Sequence, residues 1–225
     1  MPVRAVVFDL YGTLLAIEGL REPVAAAGVP DPAAFVAAWR RKQLEYAFVT
    51  SLAQAYRDFD ELTELALDHT CAQLGVALDA PQRASLAGAL RQLPAYDDVR
   101  PALTVLRARG IPLAVLTNGT PDAAEAVLVS AGLRPLFDDV LSVEAVRAYK
   151  PDPRVYALAT RRFACAPREV VFVSSNGWDA AGAAAFGFRV AWCNRAGLAA
   201  ETLSSGPETT LTDLRELDAF VSAAR

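Results

Sequence analysis

Ala5-Val6-Val7-Phe8-Asp9-Leu10-Tyr11-Gly12-Thr13-Leu14-Leu15 opens with four apolar residues, meets a single aspartate, and then turns through a glycine and a threonine. The first part has the length and residue types of a buried strand. In an open α/β sheet, catalytic groups collect beyond the carboxyl ends of the strands, which makes Asp9 a candidate nucleophile. Position 11, two residues on, carries tyrosine and not a second acid.

Outward from this strand, the chain beyond Asp98 alternates helical and strand patterns, the rhythm of a parallel sheet. Residues 101–109 read as a helix that leads through Gly110 to a strand at 112–116. Helix 122–130 leads through Gly132 to strand 137–141, helix 153–163 precedes strand 170–173, and helix 179–186 precedes strand 189–192. With residues 4–9 this makes at least five short apolar strands. Residues 16–94 differ: three helical stretches, 33–50, 52–74 and 81–93, and no convincing strand. An all-helical insert directly after the first strand lies over the strand ends, as a lid on Asp9.

Composition bounds the function. The 225 residues suffice for one sizeable core and a smaller appended unit, and 53% hydrophobic with 21% charged residues is ordinary for a compact soluble chain. With 22 basic and 26 acidic residues the net charge is −4 and no long basic run occurs, so nucleic acid and anionic membranes are not expected partners. Cys71, Cys165 and Cys193 show neither metal-ligand nor disulfide spacing, and read as buried free thiols. The one histidine, His69, lies in a helical stretch and reads as a surface or cap residue. The apolar run at residues 5–8 is too short for a signal sequence or a membrane span, which points to a cytoplasmic protein.

Four loops carry the polar groups that can do chemistry: residues 9–13, Thr117-Asn118-Gly119-Thr120, Tyr149-Lys150-Pro151-Asp152-Pro153, and Ser174-Ser175-Asn176-Gly177-Trp178-Asp179. If each lies beyond a strand end, they converge on one crevice. Taken alone, Lys150 reads equally as a solvated charge, Arg40-Arg41-Lys42 as a basic surface face, Thr117-Asn118-Gly119 as a turn, Asp179 as a helix N-terminal cap, and Phe59 and Trp178 as core.

Their order resembles the haloacid dehalogenase superfamily. The whole chain further resembles its hydrolytic L-specific 2-haloacid dehalogenases, in Phe8-Asp9-Leu10-Tyr11-Gly12-Thr13-Leu14, in residues 39–46, and in the three later loops. Phosphatases of that superfamily carry a second aspartate two positions after the first and an acidic pair in the last motif that helps hold Mg²⁺. Here those places hold Tyr11 and Ser174-Ser175-Asn176, leaving Asp179 as the one acid of the last motif, so no metal and no organic cofactor are expected. The resemblance implies an α/β Rossmann-like parallel-sheet core, residues 1–15 and 95–225, with an inserted all-helical cap domain at 16–94.

It also implies a reaction: hydrolysis of short (S)-2-haloalkanoic acids to (R)-2-hydroxyalkanoic acids and halide, through an ester on Asp9. The partners are then a small 2-halocarboxylate and water, with a homodimer allowed by helix 33–50. Nucleophile, substrate carboxylate and nascent halide are all negative. At about 4 Å and an effective dielectric of about 20, each like-charge pair costs roughly 4 kcal/mol, so cations are needed. By resemblance, Lys150 neutralises Asp9 or the substrate carboxylate, and Arg40 receives the halide from the opposite side. Asn118 adds a donor to the halide, and Thr117 with the amides of Leu10 and Tyr11 holds the carboxylate. Asp179, helped by Ser174 and Asn176, activates water. Thr13, Tyr156 and Ser175 match supporting positions, and Phe59 and Trp178 form an apolar wall. The alternatives are a Mg²⁺-dependent small-molecule phosphatase and an inactive binding protein of the same fold.

Overall fold

The computed structural model describes residues 2–203 and 206–223. Six parallel strands form one sheet: β1 (Ala5–Phe8), β2 (Leu113–Thr117), β3 (Asp139–Ser142), β4 (Val170–Ser174), β5 (Arg189–Cys193) and β6 (Thr209–Leu211). Their order is β3-β2-β1-β4-β5-β6, and every adjacent pair is parallel. Alternate residues feed two separate cores. Val6, Phe8, Val115 and Val171 pack on one face, while Val7, Ala114, Leu116 and Phe172 pack on the other. Burial on both faces explains why the strands read as unbroken apolar runs.

The chain leaves β1 toward β2 and β3, then crosses back so that β4 lies on the other side of β1. This reversal opens a crevice at the carboxyl ends of β1 and β4. Asp9 follows β1 directly, and Ser174 ends β4. Asp9 donates its backbone N–H to the Val173 carbonyl (2.9 Å), which ties the two strand ends together. The chain then reverses at Gly12, whose φ of 87° favours glycine, and Gly12 N–H bonds the Leu15 carbonyl at 2.8 Å.

Between β1 and β2 the chain forms helices α1 (Arg21–Ala26), α2 (Pro32–Leu52), α3 (Phe59–Leu74) and α4 (Ala80–Leu90), followed by α5 (Val99–Ala108) against the sheet. The expected helix 52–74 is in fact split. α2 runs on through Leu52, the chain breaks over residues 53–58 with Gln54 at φ 55°, and α3 restarts at Phe59. Asp58 causes the restart by accepting the Glu61 N–H (2.8 Å), an N-cap signal readable in Asp58-Phe-Asp-Glu61. α1, β6 and the last helix, α9 (Leu217–Ala223), carry no clear sequence signal. The insert joins the core through two chain crossings that pair with each other. Ala16 N–H bonds the Pro94 carbonyl (2.8 Å), Tyr96 N–H bonds the Leu14 carbonyl (3.1 Å), and Leu15 lies antiparallel to Ala95.

The remaining helices are α6 (Pro121–Ser130), α7 (Pro153–Phe163) and α8 (Gly177–Phe186). Asp152 caps α7, accepting the Arg154 N–H at 2.8 Å, with Pro153 as its first residue. Cys71 and Cys193 are buried, but Cys165 is only half-buried, against expectation; all three are free. His69 is exposed and meets Tyr46 edge-on. Among the described residues no helix is long and apolar enough to cross a membrane.

α8 approaches its neighbours closely at Gly182. A Cβ there would lie 2.6 Å from the Pro151 Cβ and 2.7 Å from the Tyr156 hydroxyl. Alanine gains about 1 kcal/mol of helix propensity over glycine, but overpacking costs about 1–3 kcal/mol. Gly182→Ala is therefore expected to lower stability in urea unfolding, and an unchanged or higher midpoint would show that the contact relaxes.

Candidate active site

The crevice is built around a lysine between two carboxylates. Lys150, buried to 1% exposure, places its Nζ 3.0 Å from Asp9 Oδ1 and 2.8 Å from Asp179 Oδ2. The turn after β1 supplies Asp9, the loop before α7 supplies Lys150, and the first turn of α8 supplies Asp179. The Lys150–Pro151 peptide is cis. Lys150 N–H bonds the Asn118 side-chain carbonyl (3.1 Å), so the loop after β2 fixes the lysine backbone.

Asp9 has two unlike oxygens. Oδ2 accepts from the Thr13 hydroxyl (2.9 Å), the Asn176 amide (2.9 Å) and, at longer range, the Ser174 hydroxyl (3.4 Å). Oδ1 meets Lys150. Thr13 Oγ1 in turn accepts the Ser175 N–H (2.8 Å), which laces the loop after β4 to the loop after β1, and within the former Ser174 Oγ accepts the Asn176 N–H (3.1 Å). The Ser175 hydroxyl is buried without a partner among the described residues.

Asp179 is fully buried, and among the described residues its side chain meets Lys150 and Tyr156 and no helix N–H. Its other oxygen, Oδ1, accepts from the Tyr156 hydroxyl at 2.7 Å. Burial pushes the Asp179 carboxyl above its ordinary value, against the pull of Lys150. Burial works to lower Lys150, yet Asp179 and Asp9 together outweigh it and hold the ammonium above its ordinary value. Tyr156 is raised as well, by burial and by Asp179.

Arg40 reaches this site from α2. Its guanidinium lies 5.9 Å from the Tyr11 ring centre and 5.8 Å from that of Phe59. It makes no ion pair with a carboxylate among the described residues. Burial lowers its pKa, with Asp9 and Tyr11 opposing. A half-buried guanidinium without a paired carboxylate is a candidate to receive an anion. Arg40, Tyr11 and Phe59 line a cavity of about 100 Å³ with Gln43, Thr63 and Gly119. Burial also raises Tyr11, to about 12, so its hydroxyl stays protonated at neutral pH.

Thr117 is buried at the end of β2, its Oγ1 accepting the Gly119 N–H at 3.0 Å, which leaves its own hydroxyl proton to donate. The amides of Leu10 and Tyr11 have no protein acceptor among the described residues. Trp178 is half-buried and packs edge-on against Phe48, 5.2 Å between ring centres. It lines a different cavity of about 560 Å³ with Phe48 and Tyr149, so Phe59 and Trp178 do not share the single wall expected of them. Sequence reasoning sets Gln43 on the Arg40 side of its helix without giving it a role, and passes over Thr63 and Arg195. Only Gln43, three residues after Arg40 on one helix, carried a local signal. Arg195 pairs with Asp98 (2.8 Å), lies 4.2 Å above the Tyr96 ring and donates to the Thr13 carbonyl (3.2 Å).

Magnesium fits this donor set poorly. Asp9 and Asp179 are the carboxylates of the crevice, and the Lys150 ammonium fills the place between them. No group of three His, Cys, Asp or Glu side chains gathers as a metal site among the described residues.

Removing the ammonium should be costly. Lys150→Met leaves two buried carboxylates without their cation, an expected loss of about 3–5 kcal/mol near neutral pH. A carboxyl raised in the folded state contributes stability that is present below its ordinary value and lost as pH rises through its folded value. Asp179 is already raised, so the deficit of Lys150→Met should shrink on acidification. Urea unfolding of both proteins from about pH 8 down to about pH 5 checks this; a deficit that grows with acid would contradict it.

A family model described as haloacid dehalogenase-like hydrolase matches residues 3–187. The chain is 41% identical to a (S)-2-haloacid dehalogenase of Pseudomonas sp. (strain YL), covering 99% of this chain and 96% of that protein. It superposes on the crystal structure of the L-2-haloacid dehalogenase RSc1362 with a TM-score of 0.96 at 40% identity, over 99% of this chain and 100% of the other. An L-2-haloacid dehalogenase from Xanthobacter autotrophicus, solved with chloropropionic acid covalently bound, superposes with a TM-score of 0.91 at 34% identity, over 98% of each chain. The crevice at the β1–β4 switch point and these likenesses lead to one assignment: the chain belongs to the haloacid dehalogenase-like hydrolases.

Proposed function

We propose that this hydrolase removes halide from short (S)-2-haloalkanoic acids, giving (R)-2-hydroxyalkanoic acids through an ester on Asp9. The observation that carries the reading is Arg40: a half-buried guanidinium with no carboxylate partner among the described residues, lining a cavity beside Tyr11, while a lysine already neutralises Asp9. The names of the similar proteins point the same way. Residues 16–94 act as the cap that closes the cavity over the core formed by 1–15 and 95–225.

Asp9 Oδ1 attacks C2 as the carbon–halogen bond breaks, and the halide leaves with the bonding electrons toward Arg40 and the Asn118 amide. The free N–H groups of Leu10 and Tyr11, with the Thr117 hydroxyl, hold the substrate carboxylate. The side chains of Asp9, Asp179, Lys150 and Arg40 sum to zero charge; attack turns the Asp9 carboxylate into a neutral ester and moves its charge onto the leaving halide, while the substrate carboxylate keeps its own.

Hydrolysis follows at Cγ of the ester. Water adds to that carbon, and charge builds on Oδ2, where Thr13, Asn176 and Ser174 already point donors. Asp179, its basicity raised by burial and its orientation fixed by Tyr156, takes the proton of the water and returns it to the departing oxygen. The Cγ–Oδ1 bond breaks, so the product hydroxyl keeps the original Asp9 oxygen. C2 is attacked once, hence inversion.

A single turnover in ¹⁸O water should therefore put label into Asp9 and leave the product hydroxyl unlabelled. Immediate label in the product would establish direct attack by water instead. Asp9→Asn should release no halide from (S)-2-chloropropionate while keeping the wild-type melting temperature, and wild-type release should be indifferent to EDTA.

A further inference from the structure

Gln43 and Thr63 are polar, 3% and 7% exposed, and line the Arg40 cavity, yet neither is needed by the reaction as proposed. Their hydrogen bonds form a chain with a fixed direction. The Thr63 hydroxyl donates its proton to the Phe59 carbonyl one turn earlier (2.6 Å). With that proton committed, Thr63 Oγ1 can only accept, and it does so from Gln43 Nε2 at 2.7 Å. The amide is thereby held one way round, and its carbonyl Oε1 faces Arg40 Nη1 at 3.4 Å. Trp39 Nε1 donates to the Thr63 carbonyl (2.9 Å), which fixes the two helices at the same level. Gln43 is the hydrogen-bond acceptor for the Arg40 guanidinium among the described residues, and the faces of Tyr11 and Phe59 lie near it.

We infer that Gln43, oriented by Thr63, is a positioning residue for Arg40, holding one edge of the guanidinium so that its remaining donors face the departing halide. This rests on the dehalogenase reading of the site. A neutral acceptor suits the task. A carboxylate at position 43 would pair with Arg40 and compete with the halide, whereas an amide carbonyl aims the guanidinium without neutralising it.

Gln43→Met keeps length and bulk without an acceptor, and Thr63→Val keeps shape without a hydroxyl. Each should lower kcat on (S)-2-chloropropionate about tenfold, the scale of one positioning hydrogen bond. The loss on (S)-2-bromopropionate should be smaller, because the better leaving group needs less help. Thr63→Ser should restore the wild-type ratio of the two rates, and the double variant should lose no more than either single one, since both break the same chain. Bromide affinity, read from the Arg40 guanidinium signals by NMR, is independent of turnover and should weaken in both variants. A chloride-to-bromide rate ratio that stays at the wild-type value, losses that multiply in the double variant, or unchanged bromide affinity would each overturn the inference. A wild-type chain that binds bromide at Arg40, more weakly in the variants, but dehalogenates neither acid would uphold the positioning role and remove the proposed function.

Discussion

The Lys150 ammonium between Asp9 and Asp179 is the constraint on which the rest of the structure depends. Two buried carboxylates repel each other and are poorly solvated, so neither tolerates its place without a cation. Satisfying them requires three chain segments that are 29 to 170 residues apart in sequence to meet within a few ångströms, and the sheet order supplies that meeting. Because β4 lies beside β1 on the side opposite β2, the loops after these strands face one crevice, and the loop before α7 drops the lysine into it. Tyr156 completes the arrangement from α7 by satisfying the second Asp179 oxygen.

The asymmetry of Asp9 follows from the same packing. Three neutral donors hold one oxygen and a cation faces the other. A nucleophile needs an oxygen with a lone pair to spend, and an ester about to be hydrolysed needs donors where its charge will grow. The proposed ester mechanism would find both in place, because the loops that carry the donors are joined by Ser175 N–H to Thr13 and the loop after β4 is tightened by Asn176 N–H to Ser174.

What could be read from sequence was whatever is local or repeats with a short period. Strands buried on both faces show as apolar runs, helix ends show in glycines and caps, and Asp9, Lys150 and Asp179 each follow or precede such a signal. Asp179 was ambiguous because a carboxylate in the first turn of a helix is usually a dipole partner; only its burial against Lys150 and Tyr156 decides otherwise. The break between α2 and α3 was legible in the Asp58 to Glu61 spacing but was masked by continuous helical periodicity on both sides. Thr63 and Arg195 gave no signal at all, since their roles arise from contacts across 20 and 182 residues, and β6 is three residues long.

The paired crossings at Leu15 and Ala95 have a mechanical consequence. Two tethers that are hydrogen-bonded to each other cannot slide independently; they behave as one ribbon and bend about one line. Arg195 pins the core end of that ribbon, through Asp98, the Tyr96 ring and the Thr13 carbonyl. The helical stretch between the crossings is thus joined to the sheet along a single line. Arg40 belongs to the helical insert and Asp9 to the sheet side of that ribbon, so in the proposed reaction the group that receives the halide and the group that attacks carbon stand on opposite sides of it.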